Sequence, residues 1–328
     1  MINMNIERVK EVVRTFPERK ILIVGDVMLD HYILGEIERL NPERRATNLV
    51  KVTGHSDVLG GAGNTASNIA SLGATAYLYG VMGNDKSGKV VYDLVSYNGI
   101  KSRIISLRDR ITTTKNRLIA DDEDLIARFD EEMDTRLNRD QTNILINHFR
   151  ESDLDADVYL ISDYGKGIIT KTLVKFLRME AKRRKKLFIV EPKPINASIY
   201  YDMDFLMLNS KEAREITGLD KNKHINHVGR KLISKYWTGG VVITCGKEGM
   251  KFFGQEGLYH HSKGKSVPVY DLSGAGDTAL AIFSLGLASE LGVKDSMSVA
   301  NHAAAVVIGK VGTATLTLDE LLASLDKK

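Results

Sequence analysis

The sequence predicts an α/β protein: a doubly wound, mainly parallel sheet with helices on both faces, plus a small inserted β-sheet. Three observations lead there. Short β-branched runs alternate with stretches of helical periodicity. Those runs are almost continuously apolar, as strands covered on both faces must be. Two segments, approximately 33–52 and 102–130, instead alternate polar and apolar residues, the pattern of half-exposed antiparallel strands.

Taken in order, the N-terminal stretch MINMNIERVKEVVRTF interleaves charges with apolar residues and reads as an amphipathic helix, not a secretory signal. The first strand is Ile21–Val27 (ILIVGDV), and the first alternating segment follows it. Thr65–Leu72 (helix), Ala76–Val81 (strand) and Lys86–Tyr97 (helix) form the next α/β unit, and the second alternating segment comes after it. Beyond that lie strand Val158–Ser162, helix Lys171–Arg184, strand Leu187–Val190, strand Phe205–Leu208, helix Ser210–Thr217, helix Ile225–Tyr236 and strand Val241–Thr244. Two helices, Ala275–Glu290 and Val293–Ile308, close the α/β part. The alternating segments predict either a lid over the large sheet or an edge on which two subunits meet.

The 328 residues allow one large α/β domain or two smaller ones. No internal repeat, low-complexity tract or proline-rich linker divides them, so the reading is a single domain over 1–328. A net charge of +4 is too slight to suggest a nucleic-acid partner, though local basic patches suit small phosphorylated molecules. One cysteine, Cys245, excludes an internal disulfide framework and fits a reducing compartment. No apolar run approaches the roughly 20 residues of a membrane span, so the expected location is the cytoplasm.

Three glycine-rich stretches compete for the chemistry. Gly83-Asn-Asp-Lys-Ser-Gly88-Lys89 begins like a P-loop, but Val90 stands where a magnesium-holding Ser or Thr belongs. It reads as a turn and a helix start capped by Asp85. Gly61-Ala-Gly63-Asn-Thr-Ala66 meets the loose dinucleotide pattern without following the first strand, so a Rossmann dehydrogenase is not supported. The third, Ser273-Gly274-Ala275-Gly276-Asp277-Thr278, opens a strongly apolar helix. Amides at such a helix start, unobstructed by side chains at the glycines, suit an anion. Asp277 beside that anion is either a first-turn acid that suits the helix dipole or a base for a hydroxyl attacking a phosphate.

At this point the residues resemble the ribokinase, or PfkB, family of carbohydrate kinases. Asp271-Leu-Ser-Gly274-Ala-Gly276-Asp277-Thr278 is similar to the family's C-terminal signature D-T-x-G-A-G-D. The N-terminal signature appears as Gly60-Gly61-Ala-Gly-Asn64-x-Ala66-x-Asn68-x-Ala70-x-Leu72-Gly73. Asn209-Ser-Lys-Glu212 resembles the N-x-x-E magnesium motif, and Thr244-Cys-Gly246-Lys-Glu-Gly249 the T-x-G-x-x-G nucleotide motif. Within the family the likeness is nearest to the heptose-7-phosphate kinases, through Gly25-Asp26-Val-Met-Leu-Asp30, Thr112-Thr-Thr-Lys115-Asn-Arg117 and Ala127-Arg128-Phe-Asp130. Ser162-Asp163-Tyr-Gly-Lys166-Gly167 and the segment from Ala300-Asn301 to Gly312-Thr313 follow the same pattern. Two departures stand out: Asn41-Pro-Glu-Arg44-Arg45-Ala-Thr-Asn48 replaces a proline-rich lid segment, and Glu191-Pro192-Lys193 replaces D-P-K.

The resemblance implies a ribokinase-like fold and an ATP- and magnesium-dependent sugar kinase. It makes Asp277 the general base and the amides of Gly274, Ala275 and Gly276 the anion hole. Asp26, Asp30, Gly61 and Asn64 would hold the sugar. A substrate phosphate would fall to Lys115, Arg117 and Arg128, with Arg44 and Arg45 in reserve, unless these are solvated charges on an exposed strand. Thr244, Gly246, Gly249 and Asn301 would line the ATP site. Lys193 would reach a phosphate or remain a solvated charge. Asn209 and Glu212 act on magnesium through water in the family, though an Asn cap with Glu three residues on is also a common helix start. Asp271 is the candidate for a monovalent cation such as K+, and Asp163 and Lys166 are expected at the cleft. His260-His261 lacks a metal-ligand partner and reads as strand-end surface.

The implied substrate is D-glycero-D-manno-heptose 7-phosphate, phosphorylated at its anomeric hydroxyl. The implied assembly is a homodimer through the lid, with neither nucleic acid nor membrane as partner. Many relatives of this kind continue into a nucleotidyltransferase with an H-x-G-H motif, and its absence here leads to the expectation of a stand-alone kinase. Another acceptor, or a catalytically silent sugar-binding regulator on the same fold, are the alternatives.

Overall fold

The computed structural model describes residues 5–40, 48–120, 124–152, 155–236 and 238–327. Arg44 and Arg45 lie outside the described residues. The strands are β1 (Lys20–Gly25), β2 (Val27–Leu40), β3 (Asn48–Gly61), β4 (Thr75–Gly83), β5 (Lys101–Leu107), β6 (Thr113–Ala120) and β7 (Asp124–Glu131). Then come β8 (Val158–Ser162), β9 (Leu187–Glu191), β10 (Phe205–Asn209), β11 (Gly240–Thr244), β12 (Met250–Gly254) and β13 (Tyr259–Ser262). The helices are α1 (Ile6–Val13), α2 (Ala62–Ser71), α3 (Lys86–Tyr97), α4 (Arg139–Ser152) and α5 (Lys171–Arg184). The rest are α6 (Ser210–Thr217), α7 (Ile225–Tyr236), α8 (Ala275–Ala288), α9 (Val293–Val307) and α10 (Leu318–Leu325).

The large sheet runs β13-β12-β11-β10-β9-β8-β1-β4-β5, its pairings parallel except β11–β12 and β12–β13 at one edge, where β12 alone runs in reverse. Its two faces carry separate apolar cores. One holds Val9, Ile69, Val91, Leu280 and Val299 under α1, α2, α3, α8 and α9. The other holds Leu145, Leu177, Ala213 and Leu232 under α4, α5, α6 and α7. Helix α8 is apolar all round because it is buried all round: Thr278 through Gly286 are all covered. A Cβ on Gly286 would stand 2.6 Å from Ser296 Oγ, so this glycine lets α8 and α9 approach closely.

Chain order reverses beside β1, which pairs in parallel with β4 on one side and β8 on the other. Such a switch point opens a crevice at the strand C-termini, where ligands of doubly wound sheets bind. The strands β3-β2-β6-β7 form a separate smaller sheet, which reaches loop 164–168 through Lys115 on β6. Only Asp26 separates β1 from β2, and β3 ends where α2 starts, so the small sheet is rooted in the site itself.

Its boundaries correct the sequence expectation. The small sheet takes 27–40, 48–61, 113–120 and 124–131, whereas Lys101–Leu107 pairs in parallel with β4 as the edge of the large sheet. An edge strand has half-exposed residues, as β5 does, and therefore shows the alternation expected of a lid. Helices α4 and α10 and the antiparallel pair β12–β13 add to the elements expected. Asp85 caps α3 by accepting from Gly88 N at 2.7 Å, as expected. Among the described residues no helix is long and apolar enough to cross a membrane.

Candidate active site

Helix α8 is preceded by its N-cap residue Gly274, whose φ of 76° is left-handed and costs glycine little. Neither Gly274 nor Gly276 carries a Cβ over the amides of this first turn, and Asp277 stands behind them, 5% exposed. Three donors hold its carboxylate. Asn64 Nδ2 donates to Oδ2 at 2.8 Å, while Tyr164 Oη and Thr65 Oγ1 donate to Oδ1 at 2.6 and 3.3 Å. Burial raises the Asp277 pKa, and the donors Tyr164 and Asn64 and the charge of Lys115 work against that rise. A carboxylate buried and ringed by fixed donors in this way suits a base.

The glycine-rich start of α2 and the start of α8 are one structure. Thr278 Oγ1 donates to Asn68 Oδ1 (2.9 Å), Asn68 Nδ2 donates to Asn64 Oδ1 (3.1 Å), and Asn64 Nδ2 reaches Asp277. Gly61, at φ 57°, starts α2, and a Cβ there would come within 2.5 Å of the Asp26 carbonyl oxygen.

Asp30 projects from β2, accepting from Arg117 Nη1 at 2.8 Å and from Thr313 Oγ1 at 3.2 Å. Its register partner on β6 is Lys115. Burial lowers the Lys115 pKa while Asp30 and Asp277 draw it up, so the ammonium sits between the two carboxylates' fields. Arg128, opposite Arg117 on β7, chelates Asp130 with two donors at 2.9 and 2.5 Å and is half exposed.

Two of the expected sugar ligands have their carboxylates engaged within the protein. Asp26 is buried and spends its oxygens on the amides of Tyr164 (2.7 Å), Lys166 (3.2 Å) and Ile168 (3.4 Å). Asp163 is also buried, accepting from Gly165 N, Asn196 Nδ2 and Tyr200 Oη. Both follow neighbouring parallel strands, so they brace the 164–168 loop from below instead of facing the crevice. Burial and the nearby Asp163 charge push the Asp26 pKa up to about 6, against the three amides. Lys166 pairs with Glu132 at 2.6 Å.

Across the crevice, Asn209 and Glu212 form the capping box of α6: Glu212 N donates to Asn209 Oδ1 (2.9 Å) and Asn209 N to Glu212 Oε2 (3.1 Å). The other Glu212 oxygen pairs with Lys193 Nζ. Glu191, just before, has an Oε2 that is buried without a hydrogen-bond partner among the described residues. Burial, then the Asp277 charge, raise its pKa.

A cleft of about 830 Å³ extends from Ala275 and Gly276. Thr244, Gly246, Gly249 and Asn301 line it as expected, joined by Lys247, Lys265, Val267, Leu272, Ala304 and Ile308. Gly249 is required there: its φ is 86°, and a Cβ would lie 2.2 Å from the Ser262 carbonyl oxygen. Asn301 ties its amide to Ser262 and Lys263. Asp271 accepts from Ser273 N at 2.8 Å, shaping the turn into α8. His260 and His261 lie on β13 at the large sheet's edge, where His261 Nε2 bonds the Glu248 carbonyl oxygen.

Sequence reasoning missed Tyr164, the residue joining these parts. Its hydroxyl meets Asp277, and the ammonium groups of Lys115 and Lys193 lie 5.2 and 4.9 Å from its ring centroid. The quoted motif Ser162–Gly167 contained it, but only the fold brings loop 164–168 to α8.

Comparison with known proteins agrees with this architecture. The structure superposes on Escherichia coli phosphofructokinase-2 in complex with potassium (TM-score 0.77, 18% identity, covering 94% of this chain and 99% of that one). It also matches Arabidopsis thaliana ribokinase complexed with ribose and ATP (TM-score 0.73, 18% identity, 94% and 99%). At such identities these likenesses speak for the fold. In sequence, the chain is 33% identical to the bifunctional protein HldE of Desulfatibacillum aliphaticivorans, covering 95% of this chain and 64% of that protein. It is 34% identical to HldE of Helicobacter pylori strain 26695, covering 94% and 67%. The chain thus spans about two thirds of the length of these relatives. Residues 18–320 match the pfkB family carbohydrate kinases, and with the ribokinase-like fold this shows that the chain belongs to that family.

Proposed function

We propose that this protein transfers the γ-phosphate of ATP to the anomeric hydroxyl of D-glycero-D-manno-heptose 7-phosphate. The observation that carries the kinase reading is the position of Asp277, a buried carboxylate directly behind the open amides of Gly274–Gly276. Its sugar follows from the one-third identity to HldE proteins and from the cations on the small sheet.

In this reading ATP lies in the cleft below Gly249, its base against the apolar wall and its phosphates at the α8 N-terminus. The sugar rests between Asp30 and Asn64, its hydroxyl facing Asp277 and its phosphate toward Lys115, Arg117 and Arg128. Asp277 removes the hydroxyl proton as the oxygen attacks, and the three amides take up the charge that grows on the phosphoryl oxygens. The unpartnered Glu191 oxygen, with Glu212 beside Lys193, would hold a divalent cation through water, and that cation would supply charge neutralisation to the phosphates. Lys193 is placed to join them. Asp271 is assigned to a monovalent cation such as K+, an ion named in the phosphofructokinase-2 complex.

The small sheet, rooted at both ends in the site, closes over the sugar and keeps water from competing as acceptor. Exposed Leu34, Val52, Leu125 and Phe129 suit the same sheet to pairing two copies. The reading places the protein in the cytoplasm, where ATP and sugar phosphates are found.

ADP release measured over a panel of sugars and sugar phosphates tests the proposal. Turnover with the heptose 7-phosphate is expected. Turnover with a free hexose alone overturns the substrate, and no acceptor-dependent release at all overturns the kinase.

A further inference from the structure

Asp277 is held by three donors, and they are distributed unevenly. An ionised carboxylate offers about four acceptor sites, two on each oxygen. Among the described residues Oδ1 receives both Tyr164 Oη and Thr65 Oγ1, and Oδ2 receives only Asn64 Nδ2. Asn64 is in turn locked by Asn68, so its NH2 end, not its oxygen, faces Asp277.

We propose that Tyr164 is a positioning residue of the phosphoryl transfer: by filling Oδ1 together with Thr65 it leaves Oδ2 as the oxygen that takes the acceptor's proton. This rests on the reading of Asp277 as the base. The proton leaves the sugar hydroxyl, whose oxygen keeps the electron pair for the new O–P bond, while the bond from the γ-phosphorus to the bridging oxygen of ATP breaks and its electron pair leaves with ADP. The proton arrives on Oδ2, and the tyrosine keeps its own proton throughout.

The surroundings suit that role. The Tyr164 backbone is fixed from below, its N–H donating to Asp26 Oδ2 at 2.7 Å. Its ring is approached by two ammonium groups, those of Lys115 on β6 and of Lys193 beyond β9, both within range of a cation–π attraction. Burial, followed by the charges of Asp277 and Glu191, holds the phenol pKa well above its usual value, so it remains a donor over the working pH range. One side chain therefore aims the base and spaces the cations of both substrates.

Tyr164→Phe keeps the ring and removes the donor, so it tests the hydroxyl alone. The charged and titratable groups around Asp277 are Tyr164, Lys115, Lys193, Asp30 and Glu191, and only the first changes. The expected result is a kcat about tenfold lower with both KM values kept, and an acid limb of the kcat–pH profile moved up by about one unit, because a donor to the ionised carboxylate is gone. In an Asp277→Asn background the same change should cost nothing further, since Tyr164 acts through that carboxylate. Tyr164→Leu should in addition raise both KM values by releasing the lysines.

An Asp277→Asn variant that stays active overturns the base reading itself. If Asp277→Asn is inactive while Tyr164→Phe keeps the wild-type kcat and acid limb, only the positioning role fails. A Tyr164→Phe loss of equal size in both backgrounds also overturns it. ATP affinity of each variant, measured by calorimetry, reports whether the fold is intact.

Discussion

Asn64 Nδ2 lies 2.8 Å from Asp277 Oδ2, joining two glycine-rich motifs 213 positions apart in the chain. The contact settles which way the Asn64 amide faces, and through Asn68 and Thr278 it returns to α8. The N-termini of α2 and α8 thus work as one rigid mount.

Asn64→Leu should lower kcat by about 10²-fold, the size of effect expected when a reacting group is displaced by about an ångström. Asp277→Asn, which keeps the shape and removes the basicity, should lose about 10²–10⁴-fold. Steady-state kinetics with a fixed heptose phosphate concentration series checks both. Unchanged kcat in Asn64→Leu would show that the mount does not aim the base.

The two glycines of the α8 start should behave differently. Gly274→Ala meets a left-handed φ of 76° and sets a Cβ 2.6 Å from Asn64 Nδ2, so both stability and activity should fall, stability by about 1–2 kcal/mol or more. At Gly276 the nearest atom to an added Cβ is Glu191 Oε1 at 3.8 Å, which is ordinary contact. Gly276→Ala should therefore fold as the wild type does, while kcat/KM for ATP drops about tenfold or more because the methyl stands where phosphate must approach. Thermal melts alongside ATP kinetics separate the two cases.

Arg117 and Arg128 face each other across β6 and β7 but stand in different surroundings. Arg117→Ala removes the ion pair of the buried Asp30, leaving Lys115 and Thr313 as its neighbours, and should cost about 3 kcal/mol. The guanidinium of Arg128 is 46% exposed and bonded within its own strand, so Arg128→Ala should change stability by less than about 0.5 kcal/mol. Its effect should fall on KM for the sugar phosphate and not on KM for ATP. An unchanged sugar-phosphate KM would remove Arg128 from the phosphate site.

Asp26 adds a pH dependence. Its pKa is pushed up from 3.8 to about 6 in the folded state, so between those values the folded protein binds more protons than the unfolded chain. The wild type therefore loses stability from this group as pH rises through that window, and the loss is complete above about 6. Asp26→Asn lacks that titration. Its destabilisation relative to wild type should shrink from pH 4 to pH 6 and then stay level, as read from urea midpoints at each pH.

Six of the nine strands of the large sheet, β1, β4 and β8 to β11, and most of its helices are legible because each is a local pattern: an apolar run or a 3.6-residue period. Helices α3, α5, α6 and α7 fall at the boundaries that periodicity predicts. The capping box Thr317–Glu320 that starts α10 was also present as a local signal, T-x-x-E, though it went unread. β5 was misassigned to the small sheet because half-exposure produces the same alternation at any sheet edge.

The sequence alone determined the α/β class, the glycine-and-aspartate start of α8 and the set of charged residues available to the cleft. Those follow from backbone permissiveness and side-chain chemistry, which each residue carries wherever it lies. Only the tertiary structure decided which carboxylates face the crevice. Asp26 and Asp30 are four residues apart, yet the first is turned down onto the amides of loop 164–168 and the second up toward Lys115 and Arg117. It also brought Tyr164 to Asp277, 113 positions away. A hydrogen bond depends on where two chain segments meet in space, and that meeting is set by how the helices pack on the sheet.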